Sequence, residues 1–426
     1  MAPSTSPLSR RALLTGLGAL AMPAVVRAQA GAAHVVVVGG GFGGATAARH
    51  LRLHNSALRI TLIEPAARHY TCAFSSHYLA GLRHWESLGH GFETLRGMDI
   101  AVVHAAAVDV DSAARTVTLS DGQRLAWDRL VLSPGVDMRW DRLAGYDAAA
   151  SMHAPHAWKA GAQTRLLREQ LQAMPDGGTF AMVIPAAPYR CPPGPYERAA
   201  LVAHYFRAHK PRSRILLLDA KNEFSKKPLF LQGWKALYGD MIDWRSLDDD
   251  GEVVRVDARR REVETAMGTL HRADVLNVIP PQKAGWIAER AGLTDASGWV
   301  PVHPENFAAR RQAGIHVIGD ASLAAPMPKS GASANSQGRL VAAAISAELQ
   351  GQDAPQAWYT NTCYSLIGPE HGISVAGVYH AQDDALVEVA GAGGISPLHA
   401  PAGFRAAEAR YGAAWYQAIS ADTWGN

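Results

Sequence analysis

The pattern of apolar and polar residues predicts alternating strands and helices. Apolar runs too short for a helix recur along the chain: VVVV at 35–38, RITLI at 59–63, RLVL at 129–132, TFAMVI at 179–184, RILLL at 214–218 and IHVI at 315–318. Runs that are apolar on both faces are typical of buried strands in parallel sheets. Helical segments follow the first and the fourth run. The order predicts an α/β fold.

The turn after the first strand has the spacing of a dinucleotide-binding loop. Gly39, Gly41 and Gly44 form the pattern G-x-G-x-x-G before a helix that opens with small residues. In such loops the first glycine makes the tight turn, the second lets the backbone reach a pyrophosphate, and the third allows close helix packing. Glu64 ends the next strand, where a carboxylate can bind both hydroxyls of an adenosine ribose. We predict a dinucleotide site, with a purely structural glycine turn as the alternative.

The turn at 185–195 connects a strand to a helix in the same way, but it contains five prolines and a cysteine. Pro185, Pro188, Pro192, Pro193 and Pro195 carry no N–H, so the donors that cradle a pyrophosphate are lost. We therefore expect no binding of NAD(P)H here. Cys191 precedes the helix, whose dipole is expected to favour its thiolate. An inert buried cysteine is the alternative.

The first thirty residues predict export. Arg10 and Arg11 form a twin-arginine pattern, an apolar run follows to Val26, and Ala28-Gln29-Ala30 is a small-residue cleavage site. The run is too short to span a bilayer. With Arg27, these arginines account for the whole net charge of +3, so the mature chain is neutral. That balance argues against nucleic acid or an anionic membrane as partner, and the expected location is the periplasm.

Two further segments favour FAD over NAD. The strand at 129–132 closes on Gly135, and the strand at 315–318 ends in Gly319 and Asp320. The latter pair resembles the segment of two-dinucleotide-domain flavoproteins whose aspartate bonds the ribityl chain. The order then resembles the glutathione-reductase-like architecture. The predicted parts are an export signal, the first part of the FAD domain, a second Rossmann-like domain without nicotinamide binding, the return to the FAD domain and a C-terminal interface domain, at 1–30, 31–155, 156–272, 273–350 and 351–426.

The chain has only three cysteines, Cys72, Cys191 and Cys363, and no CxxC or CxxCH motif. This excludes a thioredoxin pair and an attached c-type haem. Nearly the whole mature chain resembles the flavoprotein subunit of flavocytochrome c sulfide dehydrogenase. The resemblance rests on these segments in family order: VVVVGGGFGGATAA, TLIEPAARHYTCAFSS, PHAWKAG, CPPGPYERA, VIPPQKAG, HVIGDASLAAPMPKSGASANSQG and NTCYS.

The resemblance implies a role for each cysteine. Cys72 corresponds to the residue linked through sulfur to the flavin 8α-methyl, and Cys191 and Cys363 to a redox-active disulfide beside the flavin. The implied activity is that of a sulfide-cytochrome-c reductase. Hydrosulfide attacks the disulfide, the electrons pass through FAD to a haem-bearing cytochrome c subunit, and sulfur leaves as elemental sulfur or polysulfide. Glu197 is the acid/base candidate, with a helix-start glutamate as the alternative.

Other interpretations stay open at this stage. A sulfide:quinone oxidoreductase shares the disulfide and flavin logic. The export signal argues against it, as does the tail, which we expect to form one short helix at most without a strongly basic face. A NAD(P)H-dependent disulfide reductase is opposed by the proline loop. A non-catalytic flavoprotein partner of a sulfur-oxidation complex is the third. We expect Lys329 to be a surface residue, with a positive charge placed near the reduced flavin as the alternative. The histidines, including His153 and His156, show no metal spacing.

Overall fold

The computed structural model describes residues 25–26 and 31–425. The twin-arginine pair and the predicted cleavage site lie outside these residues, so the export signal stays a prediction. Nine α-helices occur in the described part of the chain: α1 Phe42–His54, α2 Ser75–Leu79, α3 Glu93–Gly97, α4 Ala162–Ala173, α5 Gly194–His209, α6 Lys227–Tyr238, α7 Trp286–Arg290, α8 Gly331–Leu349 and α9 Ala402–Trp424. Short 3-10 turns lie at Trp85–Leu88, Trp140–Arg142, Ala150–Met152, Leu247–Asp249 and Gly319–Ala321.

The first sheet has five parallel strands. Their spatial order is Ile315–Val317, Arg129–Leu132, His34–Val38, Arg59–Ile63 and Ala101–Val103. The strand from the far end of the chain thus completes a sheet begun by the first strands. Val35, Val36 and Val37 have no exposed surface, as the continuous apolar run predicts for a parallel strand covered on both faces.

Helices α1 and α8 pack closely against each other beside this sheet. A Cβ atom at Gly338 would lie only 2.5 Å from the carbonyl oxygen of Gly43. The absence of a side chain at Gly338 therefore lets the two helix backbones approach. The result is a rigid support for the glycine-rich turn at the start of α1.

The second sheet has four parallel strands, in the order Ile242–Arg245, Arg214–Asp219, Thr179–Ile184 and Val275–Val278. Helix α5 follows the strand Thr179–Ile184 after the proline-rich turn. The strand–turn–helix order is that of the nucleotide-binding unit predicted from the sequence. The turn therefore meets the carboxyl edge of the sheet, where α/β proteins place their ligands.

The third sheet is antiparallel and contains the long hairpin Trp358–Gly368 and His371–Gln382, with Ala385–Glu388 and Gly394–Ile395 at its edge. The smaller sheets are formed by Val25–Val26, Arg124–Ala126, Thr116–Leu119 and Ala107–Asp111; by Val253–Asp257, Glu262–Thr265 and Leu270–Arg272; and by the pairs Val136–Met138 with Gln282–Ala284, His69–Tyr70 with Gly89–His90, and Val300–Pro301 with Ser322–Leu323.

The tail does not match its sequence-based prediction. Instead of one short helix at most, α9 is 23 residues long. Its buried positions, including Gly412, Tyr416 and Ile419, recur at helical spacing, so one face packs on the protein body. At its end the Trp424 indole is fully buried, and its N–H donates a hydrogen bond to the carbonyl oxygen of Gly40 at 3.0 Å. The prediction failed because small residues such as alanine dominate the tail and conceal its helical period.

Candidate functional site

The glycine-rich turn requires glycine at two positions. Gly39 has φ +100°, and a Cβ there would lie 2.3 Å from the Ser133 carbonyl oxygen. A Cβ at Gly44 would lie 1.9 Å from the carbonyl oxygen of Gly39. Gly41 precedes α1, and a Cβ there would meet the His69 ring at 3.3 Å. The turn leaves room for a ligand to approach the backbone at the N-terminus of α1.

Glu64 faces this turn. Its carboxylate accepts hydrogen bonds from the backbone N–H groups of Gly40 at 2.8 Å and Ala66 at 3.0 Å. The side chain is half-buried. These two donors fix the carboxylate at the edge of the glycine-rich turn, and its role as a ribose ligand stays a prediction.

Asp320 offers a buried acceptor in the 3-10 turn Gly319–Ala321. Its Oδ1 is buried and has no hydrogen-bond partner among the described residues. Burial raises the pKa of Asp320, while Arg190 and Lys329 oppose the rise. Its neighbour Gly319 has φ +71° and donates its N–H to Gln337 Oε1 at 2.7 Å. A buried acceptor without a partner fits a hydroxylated ligand.

Gly135 lies at the turn after the strand Arg129–Leu132. It has φ +67°, and its carbonyl oxygen accepts a hydrogen bond from the N–H of Gly285 at 2.9 Å. No neighbouring atom lies within 4 Å of the place where a Cβ would stand. The residues present, with the cradle at 39–44, Glu64 and Asp320, thus fit FAD.

Cys72 is held by two nitrogen donors. Its Sγ accepts hydrogen bonds from the Arg190 guanidinium at 3.0 Å and from the backbone N–H of Ala160 at 3.1 Å, and it donates to the Trp158 carbonyl oxygen at 3.3 Å. Cys72 as a whole residue is half-buried. Arg190, which the sequence analysis did not single out, therefore links Cys72 to the proline-rich turn.

The proline-rich turn fixes Cys191 in an unusual backbone conformation. Its φ is +58°, which a non-glycine residue adopts at an energetic cost. The Cys191 N–H donates to the Lys329 carbonyl oxygen at 2.8 Å, and its own carbonyl accepts from the Gly194 N–H at 2.8 Å. A Cβ at Gly194 would lie 2.9 Å from the Cys191 sulfur. The glycine at the start of α5 thus makes room for the thiol.

The expected effect of the helix dipole on Cys191 is wrong. Burial raises the pKa of this thiol well above its usual value, and the negative charges of Cys363 and Glu197 add to the rise. Desolvation disfavours a buried thiolate, and here it outweighs the dipole of α5. Cys191 is therefore protonated at neutral pH when it is a free thiol.

Cys363 lies on the strand Trp358–Gly368, near enough for its charge to act on Cys191. Both side chains are free thiols in this structure, as is Cys72. Burial also raises the pKa of Cys363; Lys226 lowers it and Glu197 raises it further. The structure thus brings together Cys191, Cys363 and Glu197. The two cysteines are 172 positions apart in the sequence. Their disulfide stays a prediction.

Glu197 lies in the first turn of α5 and acts electrostatically on both cysteines. Its Oε1 accepts a hydrogen bond from the backbone N–H of Leu366 at 2.8 Å. Burial raises the pKa of Glu197 to about 7, against the opposing effects of that hydrogen bond, Lys226 and Arg198. A carboxyl group with a pKa near neutrality can both accept and donate a proton at the working pH.

One lysine at the site, Lys226, escaped the sequence analysis, and another, Lys329, was interpreted there as a surface residue. Lys226 is only 3% exposed, and its Nζ donates to the Cys363 carbonyl oxygen at 3.1 Å and to Ser365 Oγ at 2.8 Å. Lys329 is not the surface residue we expected. Its Nζ donates to the carbonyl oxygens of Asp320 and Ser322 at 2.8 and 2.7 Å, and burial lowers its pKa to about 8.

The acid that ends the second strand of the second sheet is engaged inside the protein. Asp219 has no exposed surface. It accepts hydrogen bonds from the Tyr196 hydroxyl at 2.6 Å and the Trp244 indole at 3.0 Å, and it pairs with Lys221. In a dinucleotide domain this position binds a ribose. Here its oxygens are bound by protein donors instead. Together with the loss of backbone donors to proline in the turn at 185–195, this argues against nucleotide binding.

The histidines named in the sequence analysis include one with a clear structural role. His156 is buried, its Nδ1 accepts from the Trp158 N–H at 2.9 Å, and burial lowers its pKa to about 3. Within residues 31–425, one group could hold a metal ion: His303, Glu305 and Asp384. It lies at the surface, and Arg310 already pairs with Asp384.

Family models match three segments of the chain. "Sulfide dehydrogenase [flavocytochrome c] flavoprotein chain, central" matches residues 164–280, and "Flavocytochrome c sulphide dehydrogenase, flavin-binding" matches residues 355–424. "Pyridine nucleotide-disulphide oxidoreductase" matches residues 33–171. The sulfide dehydrogenase flavoprotein chain of Chlorobaculum thiosulfatiphilum is 50% identical over 46 residues, which are 11% of this chain and 96% of that sequence. The chain belongs to the family of flavocytochrome c sulfide dehydrogenase flavoprotein chains.

Two more distant proteins resemble this chain, one in sequence and one in structure. The mitochondrial sulfide:quinone oxidoreductase of Mus musculus is 19% identical over 306 residues, which cover 67% of this chain and 65% of that protein. The crystal structure of the sulfide:quinone oxidoreductase of Aquifex aeolicus superimposes with a TM-score of 0.67 at 18% identity, covering 93% of both chains. The predicted α/β fold of two dinucleotide-binding domains with a C-terminal interface domain is confirmed.

The long C-terminal helix α9 raises the matter of membrane contact in a family with quinone-reducing relatives. None of the helices in the described part of the chain combines the length and the apolarity that crossing a bilayer requires.

Proposed function

We propose that the protein oxidises hydrosulfide to elemental sulfur or polysulfide through a Cys191–Cys363 disulfide and FAD, and passes electrons singly to a haem-bearing cytochrome c subunit. One observation carries the proposal. Two cysteines from distant parts of the chain lie near the buried carboxyl group of Glu197, whose pKa is about 7, at a turn that has lost its phosphate donors. The family supplies the chemical class, and the chain's own residues supply the steps.

The proposed first step is thiol–disulfide exchange. The sulfur of hydrosulfide attacks one sulfur of the disulfide, so the bond between the cysteines breaks and a new sulfur–sulfur bond forms. One cysteine becomes a persulfide and the other leaves with the electron pair as a thiolate. Glu197, whose pKa is raised to about 7 by burial, takes the proton when the substrate arrives as hydrogen sulfide. FAD, when bound, supplies a two-electron acceptor that can release electrons one at a time.

The residues proposed to hold FAD have distinct tasks. The backbone at Gly39, Gly41 and Gly44 binds the pyrophosphate at the N-terminus of α1, and Glu64 binds the ribose. Asp320 binds the ribityl chain through its free Oδ1. We propose a thioether bond from Cys72 to the flavin, supported by the two donors that orient its sulfur.

The proposed site of action is the periplasm, after folded export by the twin-arginine route. Residues Arg10 and Arg11 support this proposal. Replacing both with lysine should leave the precursor in the cytoplasm, which fractionation and immunoblotting would measure. An unchanged periplasmic yield would contradict the route.

A quinone is the second candidate acceptor, because two relatives in the comparisons are sulfide:quinone oxidoreductases. The two acceptors can be compared directly by measuring sulfide-driven reduction of cytochrome c and of a water-soluble quinone with the same protein. We expect cytochrome c to be reduced faster. Faster reduction of the quinone would contradict the cytochrome c proposal and favour a sulfide:quinone oxidoreductase. No reduction of either acceptor or of the bound flavin would favour a non-catalytic partner.

The disulfide step is tested by Cys191→Ser and Cys363→Ser. Each variant should retain FAD, because neither residue is in the proposed cofactor cradle, yet lose sulfide-driven flavin bleaching in anaerobic stopped-flow experiments. Flavin content per protein, measured before mixing, separates loss of chemistry from loss of cofactor. Bleaching of both variants at the wild-type rate would show that sulfide reacts with the flavin directly.

A further inference from the structure

Lys226 is a buried lysine that forms no ion pair within the described residues. It directly precedes α6, is 3% exposed, and donates only to two neutral acceptors, the Cys363 carbonyl oxygen and Ser365 Oγ. Among the ion pairs of residues 31–425, none joins Lys226 to a carboxylate. By contrast its neighbour Lys227 pairs with Glu223 at 2.7 Å near the surface.

A buried positive charge without an ion-pair partner is costly. A buried lysine of this kind is therefore a candidate for a functional role in which a negative charge forms nearby. The groups that Lys226 faces are the three reactive ones: Cys191, Cys363 and Glu197. Its hydrogen bond to the Cys363 carbonyl oxygen ties it to the strand that carries that cysteine.

We propose that Lys226 is the counter-ion of the thiolate at Cys363, and that it thereby directs hydrosulfide to Cys191. The inference rests on the proposed disulfide chemistry. Hydrosulfide forms a bond to the Cys191 sulfur and keeps its hydrogen, the Cys191–Cys363 bond breaks, and its electron pair leaves on Cys363. Atoms and charge balance, since one anion enters and one anion is produced. Lys226 acts on the leaving sulfur as a positioning residue.

The charges around the two thiols support this direction. Burial raises the pKa of both, but for Cys191 the negative charges of Cys363 and Glu197 add to the rise and Arg190 and Lys226 oppose it. For Cys363 the strongest effect against burial is Lys226. Arg198 and Lys226 both lower the pKa of Glu197 and so favour its ionised form. Lys226 is the first of the charges that favour the Cys363 thiolate, whereas for Cys191 it comes after Arg190, and the better leaving group is the more stable thiolate.

The test measures thiol reactivity, which needs neither sulfide nor turnover. The holoprotein is reduced with dithiothreitol, the reductant is removed without oxygen, and alkylation of Cys363 and Cys191 by iodoacetamide is followed against pH by peptide mass spectrometry. Lys226→Gln keeps a hydrogen-bond donor and removes the charge, Lys226→Arg keeps the charge, and Lys227→Met removes a neighbouring charge. Lys226→Met replaces the glutamine variant if that variant does not fold.

We expect Cys363 to react faster than Cys191 in the wild type. In Lys226→Gln its alkylation at pH 9 should fall about tenfold, the change in thiolate fraction that one pKa unit makes. Lys226→Arg should restore the rate and Lys227→Met should leave it unchanged. Equal alkylation of Cys363 in the wild type and in Lys226→Gln would overturn the inference, as would an equal loss in Lys226→Arg.

A second readout uses sulfite, which opens a disulfide to one S-sulfonate and one thiolate. In the oxidised wild type the S-sulfonate should lie on Cys191; in Lys226→Gln it should be divided between the two cysteines. A label found mainly on Cys363 in the wild type would overturn the proposed direction. Non-reducing peptide mapping of the wild type tests the disulfide itself. If no disulfide is found, the proposed function fails, while the alkylation profile still decides the role of Lys226.

Discussion

Glu197 Oε1 accepts the backbone N–H of Leu366 at 2.8 Å, so the first turn of α5 is tied to the strand that carries Cys363. The carboxyl group is held by a donor from the partner cysteine's own strand, three residues beyond that cysteine. A proton carrier and a reactive sulfur therefore keep a fixed relation although they belong to different parts of the chain.

Replacing Glu197 with glutamine should slow sulfide-driven flavin reduction by about 10²–10⁴-fold, the usual contribution of general acid–base catalysis. Because burial raises the pKa of Glu197 to about 7, the wild-type rate should rise as the pH passes through that value and the carboxylate forms. Anaerobic stopped-flow traces from pH 5.5 to 8.5 measure this step. Glu223→Gln, at an exposed glutamate, serves as control. A glutamine variant that keeps the same pH step would assign it to another group.

The same buried group makes stability depend on pH. Its pKa is raised from 4.5 to about 7 on folding, so its contribution to stability is complete below pH 4.5 and is lost as the pH rises through 7. At about 1.4 kcal/mol for each pKa unit, the loss amounts to roughly 3 kcal/mol. The free energy of unfolding of Glu197→Gln should therefore increase relative to that of the wild type between pH 4.5 and 7. The difference should then stay constant above pH 7. Parallel urea unfolding curves at pH 4, 5.5, 7 and 8 measure the difference, and a constant difference across this range would contradict burial of the acid.

Cys72→Ala should abolish covalent flavin. The wild-type polypeptide should carry flavin fluorescence after denaturing electrophoresis, because Arg190 and Ala160 hold the sulfur that we propose to form the thioether. Cys363→Ser is the matched control and should stay fluorescent. Complete release of flavin from the wild type by acid precipitation would refute the linkage.

NADH and NADPH should not reduce the flavin. Five prolines remove donors from the turn at 185–195, and Tyr196, Trp244 and Lys221 already engage Asp219. Anaerobic mixing with either nucleotide should leave the flavin spectrum oxidised, whereas sulfide bleaches it. Bleaching by a nicotinamide nucleotide at the rate seen with sulfide would show that the second domain still binds it.

The sequence was informative where a local pattern has one structural solution. The requirement for glycine at Gly39 and Gly44 follows from contacts within the turn itself, and the buried valines at 35–38 from strand pairing, so both could be predicted. The prolines of the turn at 185–195 likewise predicted the loss of backbone N–H donors, because proline lacks this group in any fold.

The charged residues of the site were less accessible to such reasoning. Lys226 and Lys329 look like surface lysines in sequence, and only the packing of the third sheet and of the return segment buries them. The sign of the effect on Cys191 was wrong because a helix dipole can be inferred from sequence, whereas the larger desolvation depends on tertiary packing. Arg190 contacts Cys72 across 118 positions, a relation that no spacing rule predicts.

The hydrogen bond from Trp424 to Gly40 joins two residues 384 positions apart. The buried indole also stacks on His90 with ring centres 4.3 Å apart. A ribosome must therefore complete residue 424 before the glycine-rich turn near the start of the chain gains its last contact. Until residue 424 has been synthesised, the turn at 39–44 lacks this hydrogen bond.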